Sequence, residues 1–304
     1  MTQSIESKGG RLPIARASDS AFRALLFFGG IVVSVLLVAI LLSLVLSSRP
    51  ALVANGFRFL TGTEWDPVTN SFHALPFVFG TLITSLLALV IATVLALALS
   101  ILMGEYFRTG VFASLMRTAV ELLAGIPSIV YGFIGLFFLV PVVRAVEIAI
   151  GVTPFGVGIL TSSILLAFMI LPYSASIGRE MLSLVPTDLK EAALSLGATR
   201  SEMVWKVSLP FARSGILGGV FLSLGRALGE TMAVTMVIGN ANTMTLNLFS
   251  PGNTMASLIA NEFSEATTPV YLASLIEIAL LLFIISTVIN IIGKVVINRM
   301  VGAA

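Results

Sequence analysis

The chain has 304 residues, 57% of them hydrophobic and 11% charged, with a formal net charge of +2. Soluble domains carry roughly 25% charged residues, so this composition excludes a soluble globular protein and, with a mean hydropathy of +1.07, places the chain in a membrane. The absence of cysteine excludes a disulfide framework and a thiolate metal site. The basic residues border apolar stretches instead of forming the patch that a nucleic-acid partner needs.

The first 23 residues are polar and carry Lys8, Arg11, Arg16 and Arg23. Residues 24–48 hold no charge and satisfy the length of about 20 that a spanning helix needs. They exceed the roughly 7–15-residue core of a secretory signal and lack an A-x-A site, so a retained anchor is expected. A polar connection, 49–74, contains Trp65, suited to the membrane interface, and the single histidine, His73, which cannot build a metal site alone. Further spans are expected at 75–103, 119–143, 155–177, 214–239 and 269–293. The third is interrupted by G-I-P-S at 125–128. Pro127 and Pro172 are expected to kink their helices, which buried spans tolerate when neighbours satisfy the freed carbonyls. No internal repeat is visible. The expected architecture is an all-α integral membrane protein with six transmembrane helices: a cytoplasmic segment over 1–23 and a single transmembrane domain over 24–304.

Orientation follows from the 17 Lys and Arg residues. With the N-terminus inside, the cytoplasmic segments hold thirteen of them: Lys8, Arg11, Arg16, Arg23, Arg108, Arg117, Arg179, Lys190, Arg200, Lys206, Arg213, Lys294 and Arg299. The outer loops hold Arg49, Arg58 and Arg144, and Arg226 is left inside a span. Positive charge collects on the cytoplasmic side, so both termini and the loop at about 178–213 are expected there.

That loop contains EAALSLGATRSEMVWKVSLP at 191–210, which reads as two short helices joined at a glycine. Asp188 is placed to cap the first, with Glu191 as its reciprocal partner. Leu189, Ala193 and Leu196 fall on one face, with Lys190 and Glu191 off it. Gly197 stands where a left-handed residue ends the first helix. Thr199 and Glu202 form a second capping pair, and Pro210 prevents the second helix from running on unbroken. The product is an apolar knob on a bent hairpin, suited to a groove on another protein; on helix physics alone an ordinary amphipathic loop fits equally well. There is no G-x-x-x-x-G-K-[ST] loop, so the chain does not hydrolyse ATP by that route.

The fifth span holds the second informative stretch, LGRALGETMAVTMVIGN at 224–240. Arg226 and Glu230 are four residues apart and share a face of a continuous helix. Gly219 and Ser223 extend that face into a polar stripe. Gly225 and Gly229 form a small-residue pair that allows close approach. An ion at the bilayer centre costs at least about 2.5–3.5 kcal/mol, and apolar replacement of buried pairs is often neutral or stabilising. A substrate path through Arg226, Glu230 and Ser223 is therefore expected, against a purely structural ion pair. Glu121 and Glu277 lie near span ends, with no role assigned, and the residues offer neither a catalytic constellation nor a metal site.

The E-A-A, Gly and V-S-L-P spacing at 191–210 resembles the EAA loop of ABC importer membrane subunits, with Val207 in place of the pattern's isoleucine. FLTGTEWDPVTNSFHALPFVFGTL (59–82), GIPSIVYGFIG (125–135) and LGRALGETMAVTMVIGN (224–240) narrow the resemblance to PstC-type permease subunits of bacterial phosphate-specific ABC importers. That resemblance implies a type I importer fold with a cytoplasmic coupling-helix loop. It implies that Glu191, Ala192, Ala193, Leu196, Gly197, Leu209 and Pro210 meet an ATPase. It also implies a second PstA-like permease subunit, a PstB-like ATPase dimer holding ATP and Mg, a PstS-like external phosphate-binding protein, and a bacterial inner membrane as location, with no cofactor on this chain. Three other readings stand beside it: a permease for molybdate or sulfate, a proton-coupled secondary transporter using Arg226 and Glu230, and a non-transporting membrane scaffold.

Overall fold

A computed structural model describes residues 13–301, with side chains described for 22–300. Residues 1–12 of the polar N-terminal segment, Lys8 and Arg11 among them, lie outside the described residues, as does the Arg16 side chain. The chain divides into two compact units, residues 1–47 and 48–304. The first is most of α1 (Pro13–Asn55), whose described side chains are exposed leucines, valines, isoleucines and phenylalanines, as a bilayer-facing helix requires.

The second unit continues with α2 (Arg58–Thr61), a small hairpin of β1 (Trp65–Asp66) and β2 (Ser71–Phe72), and α3 (Leu75–Ile101), which runs into a π-turn at Leu102–Tyr106. There follow α4 (Val111–Gly125), α5 (Ser128–Ile134), a π-turn at Gly135–Leu139, α6 (Val140–Ile150) and α7 (Ile159–Ser183). Then come α8 (Thr187–Ser195), α9 (Arg200–Met203), a π-turn at Val204–Ser208, α10 (Leu209–Leu228), α11 (Met232–Val237), α12 (Met255–Glu262) and α13 (Pro269–Val301). Among the described residues, six helices are long and apolar enough to cross a membrane: Phe22–Asn55, Leu75–Tyr106, Ser128–Ile150, Ile159–Ser183, Arg200–Leu228 and Pro269–Met300.

Packing centres on α7, the most enclosed of the six. Along α3, Gly80, Thr84, Ala88, Ala92, Ala96 and Ser100 recur every fourth residue and are all buried. A row of small side chains on one helical face lets two backbones approach closely, and α7 lies against it. Ala88 and Ala92 pack with Leu166, Ala167 and Ile170, joined by Ala227, Val234 and Ile238. Ser100 donates to the carbonyls of Ala96 at 2.6 Å and Ala175 at 3.1 Å. At the start of α3 the hairpin forms a cap: Trp65 meets Phe72 and Phe77 edge-on with centroids 5.0 and 5.1 Å apart, and Phe72 stacks on Tyr271 at 5.1 Å. Trp65 is thus enclosed in the cap, not set against lipid, and its indole N–H donates to Glu262 Oε2 at 2.7 Å. His73 Nδ1 lies 2.9 Å from the Glu64 carbonyl, a structural role.

Two of the expected spans are placed differently. The apolar run of 119–143 is two helices, because Ile126 is extended (φ −67, ψ 127) ahead of Pro127, the conformation that a following proline favours. The third span therefore starts at Ser128, and α4 stands as a separate helix. The fifth begins earlier than 214 and ends earlier than 239: Gly229 (φ −95, ψ 0) terminates α10, and Thr231 leads into α11. Pro210 does not break its helix, which runs from Arg200 to Leu228. The π-turn at Val204–Ser208 pairs residues five apart, and that wider turn accommodates the missing donor and the ring that an α-register turn would reject. Pro141, just after the π-turn at Gly135–Leu139, is accommodated in the same way. Pro172 remains inside α7.

Candidate functional site

Two places carry the polar chemistry. One is the hairpin α8–α9. The helix α8 ends in a left-handed glycine, Gly197 at φ +87. The amide of Ala198 donates to the Ala193 carbonyl at 3.1 Å and that of Gly197 to the Leu194 carbonyl at 3.0 Å, so two carbonyls that the helix end would leave bare are satisfied. The Thr199 hydroxyl and the Glu202 carboxylate complete the expected reciprocal box at the start of α9. The first cap differs: Pro186 precedes α8, Asp188 already lies inside the helix, and no side-chain cap forms.

The faces of α8 also differ from the expected pattern. Lys190 is buried; its Nζ donates to Glu105 Oε1 at 2.7 Å and to the Leu182 carbonyl at 3.0 Å. Glu105 Oε2 accepts from Arg108 Nη2 at 2.7 Å, and its carbonyl accepts from Arg200 Nη2 at 2.7 Å. Arg200 also lies over the Tyr106 ring, 4.9 Å from its centroid. Both short helices are thereby fastened to the π-turn that ends α3. The long cationic stem covers apolar surface while its head finds a carboxylate, which a hydrophobicity count does not register. The opposite side is free: Leu196 is 90% exposed and Trp205 61%, with Leu189 and Leu194 at 44% each. Glu191, Ala192, Gly197 and Pro210 are exposed and Ala193 is half-buried, whereas Leu209 packs inward against Leu182, Val185 and Ala212.

The other place is the end of α10. Arg226, in its last turn, stacks on Tyr173 with Cζ 4.6 Å from the ring centroid. It lines a cavity of about 470 Å³ with Tyr173, Leu222, Gly225 and Asn290. Among the described residues its guanidinium has no ion pair. The expected partnership with Glu230 does not form, because α10 stops at Gly229 and the i,i+4 relation holds only within a helix. Glu230 instead accepts from the Ala233 amide at 3.4 Å, at the start of α11. Ser223 turns away from the cavity: it is buried, with its hydroxyl 2.7 Å from that of Ser174 on α7. Arg226 and Tyr173 are therefore the pair that the fold brings together, with Asn290 lining the same cavity. Sequence reasoning missed both partners, since neither Tyr173 nor Asn290 carries a local signal that connects it to Arg226. The tyrosines also explain the break at Gly125–Pro127: the Tyr131 hydroxyl donates to the Leu123 carbonyl at 2.9 Å and that of Tyr173 to the Ala124 carbonyl at 3.3 Å, satisfying the end of α4.

Residues 96–302 match the family described as binding-protein-dependent transport system inner membrane component. The chain is 42% identical over 297 residues to the phosphate transport system permease protein PstC of Mesorhizobium japonicum, covering 93% of this chain and 90% of that one. It is 41% identical over 312 residues to the Xylella fastidiosa protein of the same name, covering 96% and 94%. Its fold is similar to that of a chain in an inward-facing methionine ABC transporter, MetNI, at TM-score 0.57 and 18% identity, over 74% of this chain and 94% of that one.

Proposed function

Because this chain belongs to the binding-protein-dependent transport permeases, in their PstC-type branch, we propose that it is the membrane subunit forming half of the path of an ATP-driven phosphate importer. It is a multi-pass membrane protein. In this reading residues 24–304 are a single permease domain, and the protein sits in a bacterial inner membrane with both termini and the α8–α9 hairpin in the cytoplasm. The basic asymmetry supports that orientation. A second permease subunit, an ATPase pair that holds ATP and Mg, and an external phosphate-binding protein complete the assembly. Catalysis resides in the ATPase, and this chain transmits it.

The observation that carries the reading is Arg226, a cation seated on Tyr173 at the wall of a cavity and without an ion-pair partner among the described residues. A phosphate ion needs a compensating charge to cross an apolar bilayer. Arginine keeps its charge when buried and offers a planar fork that matches oxyanions. The ring holds one face of the guanidinium, and Asn290 adds an amide to the same cavity. A conduit needs weak sites that release their ion, and one fork without a surrounding shell of donors meets that need. Glu230, at the start of α11, acts as a hydrogen-bond acceptor for a protonated oxyanion and a repulsive charge against a fully ionised one, which favours hydrogen phosphate over sulfate. The named relatives favour phosphate over molybdate or sulfate, and the family favours ATP coupling over proton coupling.

The test is reconstitution of the four-component complex in proteoliposomes. ATP-dependent phosphate uptake that needs the external binding protein is expected. Uptake without ATP, driven by a proton gradient, overturns the proposal.

A further inference from the structure

A second polar cavity, of about 170 Å³, lies beside the fastened hairpin. Met103, Gly104, Arg108, Arg117, Arg179 and Ser183 line it. Three arginines line it from three elements: the segment after α3, the middle of α4 and the last part of α7. No acidic residue lines the cavity. Arg108 is partly occupied, since its Nε donates to the Gly104 carbonyl at 2.8 Å and its Nη2 to Glu105. Arg117 and Arg179 have no ion pair among the described residues. Acids are near in sequence yet do not serve them. Glu121 stands one turn on from Arg117, the spacing at which helical pairs form, and Glu180 follows Arg179 directly. Neither acid comes within the 4.0 Å that defines an ion pair. Glu105 is already shared by Lys190 and Arg108. The protein therefore gathers three arginines around one small space, and only Arg108 among them has a counter-charge, Glu105, which it shares with Lys190.

The surroundings are those of a membrane boundary. The helix α4 exposes Val111, Phe112, Leu115 and Leu122, and Phe107 meets Phe112 edge-on at 4.8 Å. Apolar side chains on one side and Arg117 on the other make a helix suited to lie in the interface plane. Basic pockets between membrane helices on the cytoplasmic side hold lipid head groups, and the arginine fork matches a phosphate group in two-point contact.

We infer that Arg108, Arg117 and Arg179 form a binding site for a phosphate-bearing anion at the end of the bundle that carries the hairpin. Two sources have this chemistry: the head group of an anionic phospholipid, and a free phosphate ion on that side of the membrane. The inference rests on the transport reading only for which side that is. Arg108 also lines the neighbouring cavity with Lys190, Glu191 and Arg200, so the occupant sits next to the docking element.

The test uses the purified, assembled complex and reads its melting midpoint, which a ligand that binds the folded state raises with concentration. One arm titrates phosphatidylglycerol against phosphatidylcholine; the other titrates inorganic phosphate against chloride at matched ionic strength. The wild type is expected to respond in at least one arm. Arg117→Gln with Arg179→Gln is expected to move that titration at least about tenfold to higher concentration, with the ligand-free midpoint unchanged. Loss in the lipid arm identifies a head group; loss in the phosphate arm identifies free phosphate. Titrations that do not depend on the two arginines overturn the site. If the glutamine pair fails to assemble, Arg117→Lys with Arg179→Lys decides: it keeps the charge and loses the forks, and an unshifted titration overturns the site. The readout needs no transport, so failure of the uptake assay is seen separately.

Discussion

Lys190 Nζ and Glu105 Oε1 are 2.7 Å apart across 85 residues of chain, with side chains only 6% and 1% exposed. The relationship is asymmetric. Glu105 has a second cation in Arg108, whereas Lys190 has only the Leu182 carbonyl besides Glu105. Removing one member of a buried pair costs about 3–5 kcal/mol when the other charge is stranded. Glu105→Gln is therefore expected to lower stability by that order and to cut the phosphate moved per ATP hydrolysed. Lys190→Met, which leaves Glu105 paired with Arg108, is expected to cost less. Melting midpoints of the two variants in the assembled complex check the order; equal losses would contradict it.

At Gly197 nothing lies within 4 Å of an added Cβ, but φ is +87. Substitution there is strained by backbone conformation, by roughly 1–2 kcal/mol, and asparagine tolerates this region better than most residues. Gly197→Asn is expected to retain more uptake than Gly197→Val, and Gly197→Asp to leave the subunit in the membrane while uncoupling hydrolysis from transport. Leu196→Asp, at a position 90% exposed, is expected to keep the fold and lose the ATPase on purification. Retention of a full complement of ATPase would remove Leu196 from the docking surface.

Since Arg226 and Glu230 form no ion pair, neutralising Arg226 alone strands no buried partner. Arg226→Gln and the double variant with Glu230→Gln are both expected to lose no more stability than the contact with Tyr173 supplies and to fail in uptake. Arg226→Lys keeps the charge without the fork and is expected to transport poorly. Tyr173→Leu removes a cation–π contact worth about 0.5–2 kcal/mol and is expected to weaken uptake more than Tyr173→Phe, which keeps the ring. Near-normal ATP-driven uptake by the double neutral variant would falsify the pathway role.

A methyl group added at Gly80 would run into the backbone carbonyl of Asn253, and backbone cannot swing aside as a side-chain tip can. Gly80→Ala is expected to destabilise the fold markedly, whereas Gly218→Ala, whose nearest neighbour is the end of Ile297 at 3.9 Å, is expected to be near neutral. Comparing detergent-solubilised melting curves settles the ranking.

For topology, a reporter fused after Ala304 is expected to be active only on the cytoplasmic side. Activity confined to the outer face would reverse the assignment.

Much of this was legible in the residues, for local reasons. The number of span-forming apolar runs, the left-handed position of Gly197 and the Thr199–Glu202 box depend on near neighbours, and the structure has them as pattern alone predicts, with the third and fifth spans shifted along the chain. What was not legible depends on distant partners or on a helix that stops. The sequence from Ser223 to Glu230 has continuous helical spacing, and only the tertiary fold ends α10 at Gly229 and turns Ser223 towards Ser174. Lys190 looks solvent-exposed by charge and is buried because Glu105 waits for it. Residues 119–143 carry a single charge, Glu121, so the division at Pro127 is visible but its consequence, a span that starts later, is not.

Glu262 gathers donors from far along the chain: the Trp65 indole at 2.7 Å, the Tyr271 hydroxyl at 2.7 Å and the Asn242 amide at 3.1 Å. Chains are made and begin to fold from the N-terminus. The first loop is therefore synthesised nearly two hundred residues before its acceptor, and Trp65 lacks Glu262, and Phe72 lacks Tyr271, until the end of the chain is made. The cap is in effect a receipt for a finished chain. A chain that stops before Tyr271 leaves Phe72 without the ring it stacks on.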